Sequence, residues 1–247
     1  MSESALRLDG LTDFDRQSVE GLLGGVLPHI DLAKTAVVGG VAIAHHAAEQ
    51  GVAYPKRPLN DLDLIVSDQA GIRLSVTETF RIAHHHHTDA GGFYFSLVEP
   101  NLRASIDVFG GPDTLWPDDS PTVTWNGHTI RISGIEDQLA KTIIDISRIS
   151  ADKKVDPKQF DDATTLLELA DLERAEQYWR KWRPDDERSL EAASRQAFET
   201  AKHHPDWVQK DPFKKPPGYV CPDCVDTPEF PLTSLSEIDQ ILGKDKE

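Results

Sequence analysis

The pattern that most constrains the fold is a short apolar strand, a glycine pair, an apolar helix and a second strand that carries two aspartates. Residues 35–38 form the first strand-like run, Gly39 and Gly40 end it, and residues 41–50 have the composition of a buried helix. Side chains alternate across a strand, so Asp61 and Asp63 lie on one face while the leucine after each of them points into the core. Adjacent carboxylates repel each other, and this cost makes sense mainly where a divalent cation neutralises them. The pattern therefore predicts a Mg²⁺ site.

A third aspartate lies in another strand-like run, residues 104–109, which is apolar on one face and carries Asp107 in its middle. If the two strands are neighbours, Asp61, Asp63 and Asp107 converge. The glycine pair adds a backbone without side chains at a helix N-terminus, where phosphate oxygens can approach closely. A phosphate cradle, a two-carboxylate metal clamp and a third acid are the parts of two-metal phosphoryl or nucleotidyl transfer.

These motifs resemble those of the DNA polymerase beta-like nucleotidyltransferase superfamily, and within it the branch of AbiEii-type and MenT-type toxins. That branch has a Gly-Gly-Thr-Ala-like turn, a helix, and then Arg-x-Thr-x-Asp-hydrophobic-Asp. The matching turn here is Gly39-Gly40-Val41-Ala42, and Arg57 precedes the two aspartates. Val41 stands where the family usually has Thr or Ser, and the spacing from Arg57 to the acids is one residue longer.

The resemblance continues downstream to about residue 170. Residues 134–141 are similar to the family's helix with an acidic start and an inward lysine, here Lys141. Arg148 lies two helical turns further on and returns to nearly the same face, so both cations could reach an anionic triphosphate. Residues 158–166 are similar to the family's Lys-Asp-x-x-Asp-Leu-x-x-Leu, with Gln159 in place of the first Asp.

The resemblance implies an α/β (α+β) nucleotidyltransferase fold, in which helices flank a small mixed β-sheet and the C-terminal half is helical. It implies transfer of a nucleoside monophosphate from a nucleoside triphosphate to an acceptor hydroxyl, with Mg²⁺ or Mn²⁺ held by Asp61, Asp63 and Asp107. Asp107 would ligate the metal near the acceptor and help to remove the acceptor's proton. The triphosphate would be bound by Gly39, Gly40, Arg57, Lys141 and Arg148.

Several alternatives stay open at this point. The acceptor could be a transfer RNA end, a protein hydroxyl or a small molecule, and a toxin of this branch would have an antitoxin protein as its partner. A catalytically silent binding or regulatory protein with the same fold is the main competing hypothesis, favoured by Val41 and Gln159. A sugar-nucleotide transferase with a different Asp-x-Asp site is a third hypothesis, which the glycine pair disfavours.

The secondary-structure pattern changes near residue 133 from strands to helices. We predict a nucleotidyltransferase core in residues 1–133, a helical region in 134–204 and a tail in 205–247. The core has a helix at 13–27 and hairpins at 93–109 and 122–132, the second with an Asn-Gly turn. The helical region has helices at 135–150, 158–170, 172–182 and 187–203. Seven prolines between residues 204 and 233 predict an extended segment.

Composition narrows the classes of function. The net charge of −16, from 42 acidic and 26 basic residues, disfavours broad binding to nucleic-acid phosphates, although a restricted basic groove could still hold an RNA acceptor. No stretch is long and apolar enough to cross a bilayer, and no secretion signal is visible. Two cysteines exclude a disulfide-stapled design. These observations predict a cytoplasmic protein with no membrane partner.

Cysteine and histidine clusters give three further predictions. Cys221 and Cys224 form half of a zinc knuckle, and a Zn²⁺ site there needs distant histidines or a second subunit. His45 and His46 are predicted to pack or form hydrogen bonds rather than bind metal. The four histidines at 84–87 alternate between strand faces, and we predict that they lie on a solvated edge.

Overall fold

The chain folds as a mixed α/β structure, seen in a computed structural model that describes residues 4–54, 59, 61–87, 92–110, 120–147, 157–202 and 230–243. The described strands are β1 (Ser4–Ala5), β2 (Thr35–Val38), β3 (Asp61–Val66), β4 (Arg81–His87), β5 (Phe93–Glu99), β6 (Ala104–Gly110), β7 (Thr122–Trp125) and β8 (His128–Ile132). The described α-helices are α1 (Asp13–Val26), α2 (Gly39–Gln50), α3 (Ile135–Ser147), α4 (Pro157–Leu169), α5 (Leu172–Trp182), α6 (Leu190–Lys202) and α7 (Leu235–Leu242).

All eight described strands belong to one sheet in the order β1-β7-β8-β2-β3-β6-β5-β4. Strand β2 is antiparallel to β3 and parallel to β8, and β3 is parallel to β6. Strands β4, β5 and β6 form an antiparallel meander. This arrangement confirms the predicted α/β class with a mixed sheet flanked by helices, although the sheet is larger than the small one expected.

Local sequence signals explain where several elements begin and end. The Thr12 hydroxyl caps α1 by accepting a hydrogen bond from the Asp15 N–H. Gly51 ends α2 in the left-handed conformation at φ 71°, which glycine adopts without strain. Asn126 and Gly127 have φ values of 46° and 81°, the two positive values that a tight hairpin turn between β7 and β8 requires.

Two hydrophobic cores lie within the described structure. The first joins α1 to one face of the sheet, where Leu62 and Leu64 of β3 are fully buried. The second joins α2 to helices α3, α4, α5 and α6 around the buried Trp179, whose indole N–H donates to the Arg188 carbonyl at 2.8 Å. Helix α2 contributes to both cores, because Val41 packs into the first and Ile43 into the second.

Most predicted elements are present close to their expected limits, including both hairpins and the four helices after residue 133. The prediction of a solvated edge at residues 84–87 holds only in part, because β4 is an edge strand of the described sheet and His87 is exposed, but His84 and His85 are buried. His85 is fully buried and stacks on Phe95 with ring centroids 4.0 Å apart, because the segment near Phe230 packs against this edge. Helix α7 was not predicted. The domain limits at residues 133 and 204 stay predictions.

None of the helices in the described part of the chain has the length and apolar character needed to span a membrane.

Candidate active site

The three predicted acids converge on the sheet face opposite α1. Asp63 and Asp107 occupy paired positions of the parallel strands β3 and β6, and Asp61 lies two residues earlier on the same face of β3. Each residue places a carboxylate oxygen within 4.8 Å of those of the other two. The convergence expected for neighbouring strands is therefore present, and it depends on the register between β3 and β6.

Gly39 is fitted directly against one of these carboxylates. In the register between β2 and β3, Val38 lies opposite Asp63, so the next residue passes over the Asp63 side chain. A Cβ atom on Gly39 would lie 2.1 Å from Asp63 Oδ2, and Gly39 has a φ of +64°. Both observations require glycine at this position. The N-terminus of α2 is thereby held beside the acids, with no side chain between them.

The electrostatic environment of the triad favours a cation. The pKa of Asp63 lies well above its usual range, because burial disfavours the charged form and because Asp61 and Asp107 add negative charge. Lys158 opposes this shift from α4. Three carboxylates at this spacing offer the hard oxygen ligands that Mg²⁺ prefers, so the residues fit the predicted metal.

Tyr94 orients Asp107. Its hydroxyl donates a hydrogen bond to Asp107 Oδ1 at 2.9 Å from the neighbouring strand β5. Burial and the nearby Asp107 carboxylate raise the pKa of Tyr94, so the phenol stays neutral and acts as a donor. This contact fixes one oxygen of Asp107. The predicted hairpin at 93–109 places β5 beside β6, but strand pairing alone does not specify that the Tyr94 hydroxyl reaches Asp107.

Lys141 lines the cleft but is already engaged. Its Nζ lies 3.2 Å from Asp137 Oδ2 and 4.5 Å from the centre of the Trp182 ring. Asp137 is buried and also accepts a hydrogen bond from the Trp182 indole N–H at 2.6 Å. Lys141 is thus positioned by a local network on α3 and α5, and its predicted role in binding a triphosphate stays a prediction.

Helix α4 adds cleft residues that were not predicted as site residues. Lys158, Gln159 and Asp162 all line the same cleft as the three acids. The Gln159 side-chain oxygen is buried without a hydrogen-bond partner among the described residues. The spacing of Lys158 and Asp162, one helical turn apart within the motif matched at 158–166, was the signal that could have identified this helix face.

Buried polar atoms at the start of α3 complete this wall. Ser133 and Gln138 are lining residues of the cleft, and the Ser133 hydroxyl and the Gln138 side-chain nitrogen are buried beside it without a hydrogen-bond partner in the described structure. Buried donors normally have partners, and a water molecule or a ligand with acceptor oxygens would supply one to these two atoms. Helices α2 and α3 follow the parallel neighbours β2 and β8, and both begin at this end of the sheet.

The cleft enclosed by these elements has a volume of about 870 Å³. Gly39, Gly40, Lys141 and the three acids all line it. Two predicted nucleotide-binding residues, Arg57 and Arg148, lie outside the described residues. The predicted zinc ligands Cys221 and Cys224 lie outside them as well, so these four assignments stay predictions.

Val41 does not face the cleft. Its side chain is 1% exposed and packs in the first hydrophobic core. A Thr or Ser hydroxyl at this position would therefore be buried in the core. The replacement of Thr or Ser by Val41 removes no group from the surface of the cleft.

A second group of possible metal ligands, His45, His46 and Glu49, is explained by hydrogen bonding. His45 Nδ1 accepts from the Arg7 backbone N–H at 3.0 Å, so in the neutral ring the hydrogen lies on Nε2 and blocks that atom as a ligand. His46 Nε2 donates to the Ser133 carbonyl at 2.8 Å. Burial lowers the pKa of His45 to about 4, which keeps its ring neutral near pH 7.

Comparison with known proteins gives limited similarity. No family model matches the chain, and no curated protein matches it. The solution structure of the antibiotic-resistance factor ANT(2'')-Ia is similar with 16% identity and a TM-score of 0.47, covering 76% of this chain and 98% of that one. An antigenic nucleotidyltransferase-like protein from Paracoccidioides brasiliensis has 16% identity and a TM-score of 0.37, covering 73% and 93%. Similarity at this level assigns neither family nor activity.

Proposed function

We propose that the protein is a metal-dependent nucleotidyltransferase. An acceptor hydroxyl would attack the α-phosphate of a nucleoside triphosphate, so that the new bond joins the acceptor oxygen to the nucleoside monophosphate and pyrophosphate leaves. The observation that carries this proposal is the set of three carboxylates within 4.8 Å of one another, directly beside the glycine-led N-terminus of α2. A phosphate-binding helix start and an acidic metal site in contact are what such a reaction needs.

Each part of the cleft would have a separate task. Mg²⁺ held by Asp61, Asp63 and Asp107 would neutralise phosphate oxygens and lower the pKa of the attacking hydroxyl. The backbone N–H groups at the start of α2 would donate to the phosphates, and the Lys158 ammonium would add positive charge on the same side. Asp107, fixed by Tyr94, would accept the proton of the acceptor hydroxyl.

The direct test is release of pyrophosphate from each of the four labelled nucleoside triphosphates in the presence of Mg²⁺ and a cell extract. We expect at least one nucleotide to yield pyrophosphate and a labelled acceptor together, in equal amounts. Binding of a nucleotide without any transfer would instead support the silent binding or regulatory protein. That alternative now has weaker support, because Val41 is buried away from the cleft and only Gln159 of its two arguments lies within it.

Lys158→Ala is expected to weaken nucleotide binding by about tenfold, because it removes the ammonium group that we propose contacts the phosphates in the cleft. The dissociation constant for the metal–nucleotide complex, measured by calorimetry, checks this. Lys34→Ala is the matched control, since Lys34 carries the same charge but pairs with Asp68 at 2.7 Å on an exposed surface. Equal effects from both variants would mean that Lys158 acts only through the net charge.

Asp107→Asn is expected to lower the transfer rate by about a hundredfold or more while most nucleotide affinity remains. The substitution preserves shape and the hydrogen bond that Tyr94 donates, but it removes the proton acceptor and one charged metal ligand. Rates under single-turnover conditions, together with nucleotide dissociation constants, separate the two effects. Transfer that continues at the parental rate would place the chemistry away from Asp107.

Four more specific features of the proposed nucleotidyltransferase remain predictions. A toxin role with an antitoxin partner, membership of the AbiEii-type and MenT-type branch, a cytoplasmic location and the choice of Mg²⁺ over Mn²⁺ all stay predictions. Co-expression with a neighbouring gene product that restores growth would test the toxin role, independently of the nucleotide chemistry.

A further inference from the structure

The order of the strands divides the cleft into two sides. Moving across the sheet from β2, the start of α2 comes first, then Asp61 and Asp63 on β3, then Asp107 on β6, then β5 and finally β4. The phosphate-binding groups belong to the β2 side, because α2 and α3 begin there. The other side, beyond Asp107, is formed by β5, β4 and α7, and we call it the acceptor side.

Specific contacts hold α7 on the acceptor side. Phe230 is buried, with its ring 4.8 Å from that of Phe95, and Leu232 pairs with Ile82 on the edge of β4. The Thr233 N–H donates to the Ile82 carbonyl at 2.9 Å. The chain thus passes around the sheet edge. Helix α7 then reaches the cleft, which it lines with Leu235, Ile238, Asp239 and Leu242.

The surface of the acceptor side is mainly aromatic, apolar and acidic, and its one cation among the described lining residues is Arg103, in the turn between β5 and β6. His84 and Tyr94 pack with ring centroids 5.4 Å apart, and both line the cleft together with Phe109. Helix α7 contains Glu237 and Asp239 but no lysine or arginine. The nearby Arg81 is 3.6 Å from Glu237, and it is absent from the cleft lining.

The charged residues along the whole cleft are also mostly acidic. Among the described lining residues, seven are aspartates and three are cations, namely Lys141, Lys158 and Arg103. Lys141 already pairs with Asp137, Lys158 lies on α4, which packs against α2, and Arg103 is the single one of the three on the acceptor side. A nucleic-acid acceptor is held mainly through its phosphates by several lysines and arginines, and this cleft does not offer them in its described part.

Resting on the proposed function, we infer that the acceptor side takes a small, phosphate-free hydroxyl compound, neutral or cationic, and that α7 with Asp239 determines which compound binds. A cleft of about 870 Å³ has room for a nucleotide and a small acceptor together. The side chains of His84, Tyr94 and Phe109 would contact a ring or chain of the acceptor, and the Asp239 carboxylate would accept hydrogen bonds from the acceptor's donor groups.

The test uses the full chain with labelled nucleotide and a cell extract divided by size and charge. The extract is treated with nuclease, passed through a small-pore filter and then through an anion exchanger. We expect the filtrate that flows through the exchanger to accept the label. Acceptor activity that nuclease destroys, that the filter retains or that binds the exchanger would overturn the inference while leaving the proposed function intact. Transfer to no fraction, including untreated extract, would overturn both.

Variants of α7 test the role of Asp239. Asp239→Asn should raise the amount of filtrate needed for half-maximal labelling by about tenfold, with an unchanged nucleotide dissociation constant. Gln240→Lys is the control, because it makes the same change in net charge on the same exposed helix at a position outside the cleft lining. It should leave both quantities unchanged. If the two variants behave alike, α7 does not contact the acceptor.

Discussion

Asp63→Asn should reduce nucleotide transfer by at least about a thousandfold, the largest functional effect that we expect from a single substitution. Asp63 is the central acid of the triad, with Asp107 beside it on β6, Asp61 on the same strand face, and Gly39 against its Oδ2 atom. An amide of nearly the same shape cannot supply the negative charge that a divalent cation requires. Binding of the metal–nucleotide complex should fall as well.

The Asp63→Asn variant should lose activity without losing thermal stability. In the absence of metal, Asp61, Asp63 and Asp107 repel one another, so a neutral residue in the middle should leave the melting temperature unchanged or raise it. Calorimetric titration with Mg²⁺ and nucleotide, alongside thermal unfolding in chelator, measures both quantities. A variant that melts earlier and loses activity in proportion would indicate a structural role for Asp63. A variant that binds the metal–nucleotide complex as well as the parent would remove Asp63 from the ligands.

Gly39→Ala should also abolish most transfer, for a steric reason. The new Cβ would lie 2.1 Å from Asp63 Oδ2, a distance at which the carboxylate or the start of α2 must move. An alanine with φ near +64° costs about 1 kcal/mol as well. We expect a loss of about a hundredfold or more in transfer, because a displacement of about 1 Å in a catalytic group has effects of this size.

The chain provides a matched control at the other end of the same helix. Gly51 ends α2 with a φ of +71°, and among the described residues beyond its own helix and chain neighbours no atom lies within 4 Å of where its Cβ would be. Gly51→Ala therefore carries the same backbone strain without the contact. Gly51→Ala should lose about 1 kcal/mol in free energy of unfolding, measured with urea, and keep its activity. Gly39→Ala should lose more stability than Gly51→Ala, because it adds the contact with Asp63, and only Gly39→Ala should lose activity. Similar activities for the two variants would show that the contact with Asp63 is unimportant.

The sequence predicted the acidic site well because alternation along a strand is a local property. The positions of Asp61 and Asp63 on one face follow from their spacing alone. The placement of Asp107 beside them depends on β3 and β6 being parallel neighbours, although two further strands lie between them along the chain. Local patterns do not determine such pairings, so the sequence predicted that the three acids converge only if the two strands are neighbours.

The groups that the sequence did not reveal are those that depend on tertiary contacts. Tyr94 reaches Asp107 through a side-chain contact across the predicted β5–β6 hairpin, which strand pairing alone does not specify. Lys158 reaches the cleft through the packing of α4 on α2. The histidines of β4 were predicted to be solvated, and Phe230 instead covers His85 from a distant part of the chain. Helix α7 has the apolar spacing of an amphipathic helix, but it follows a proline-rich stretch that predicted only extended chain.

The division of α2 between the two hydrophobic cores has a thermodynamic consequence. Its first residue, Gly39, lies against the Asp63 side chain. Further along the helix, Ile43, Ala44 and Ala47 belong to the core around Trp179. Helices α3 to α6 therefore cannot open as an independent unit without loosening α2, the helix that begins at the glycine pair. By linkage, a ligand that tightens the start of α2 would also slow the exchange of amide hydrogens around Trp179, although Trp179 is not among the residues that line the cleft.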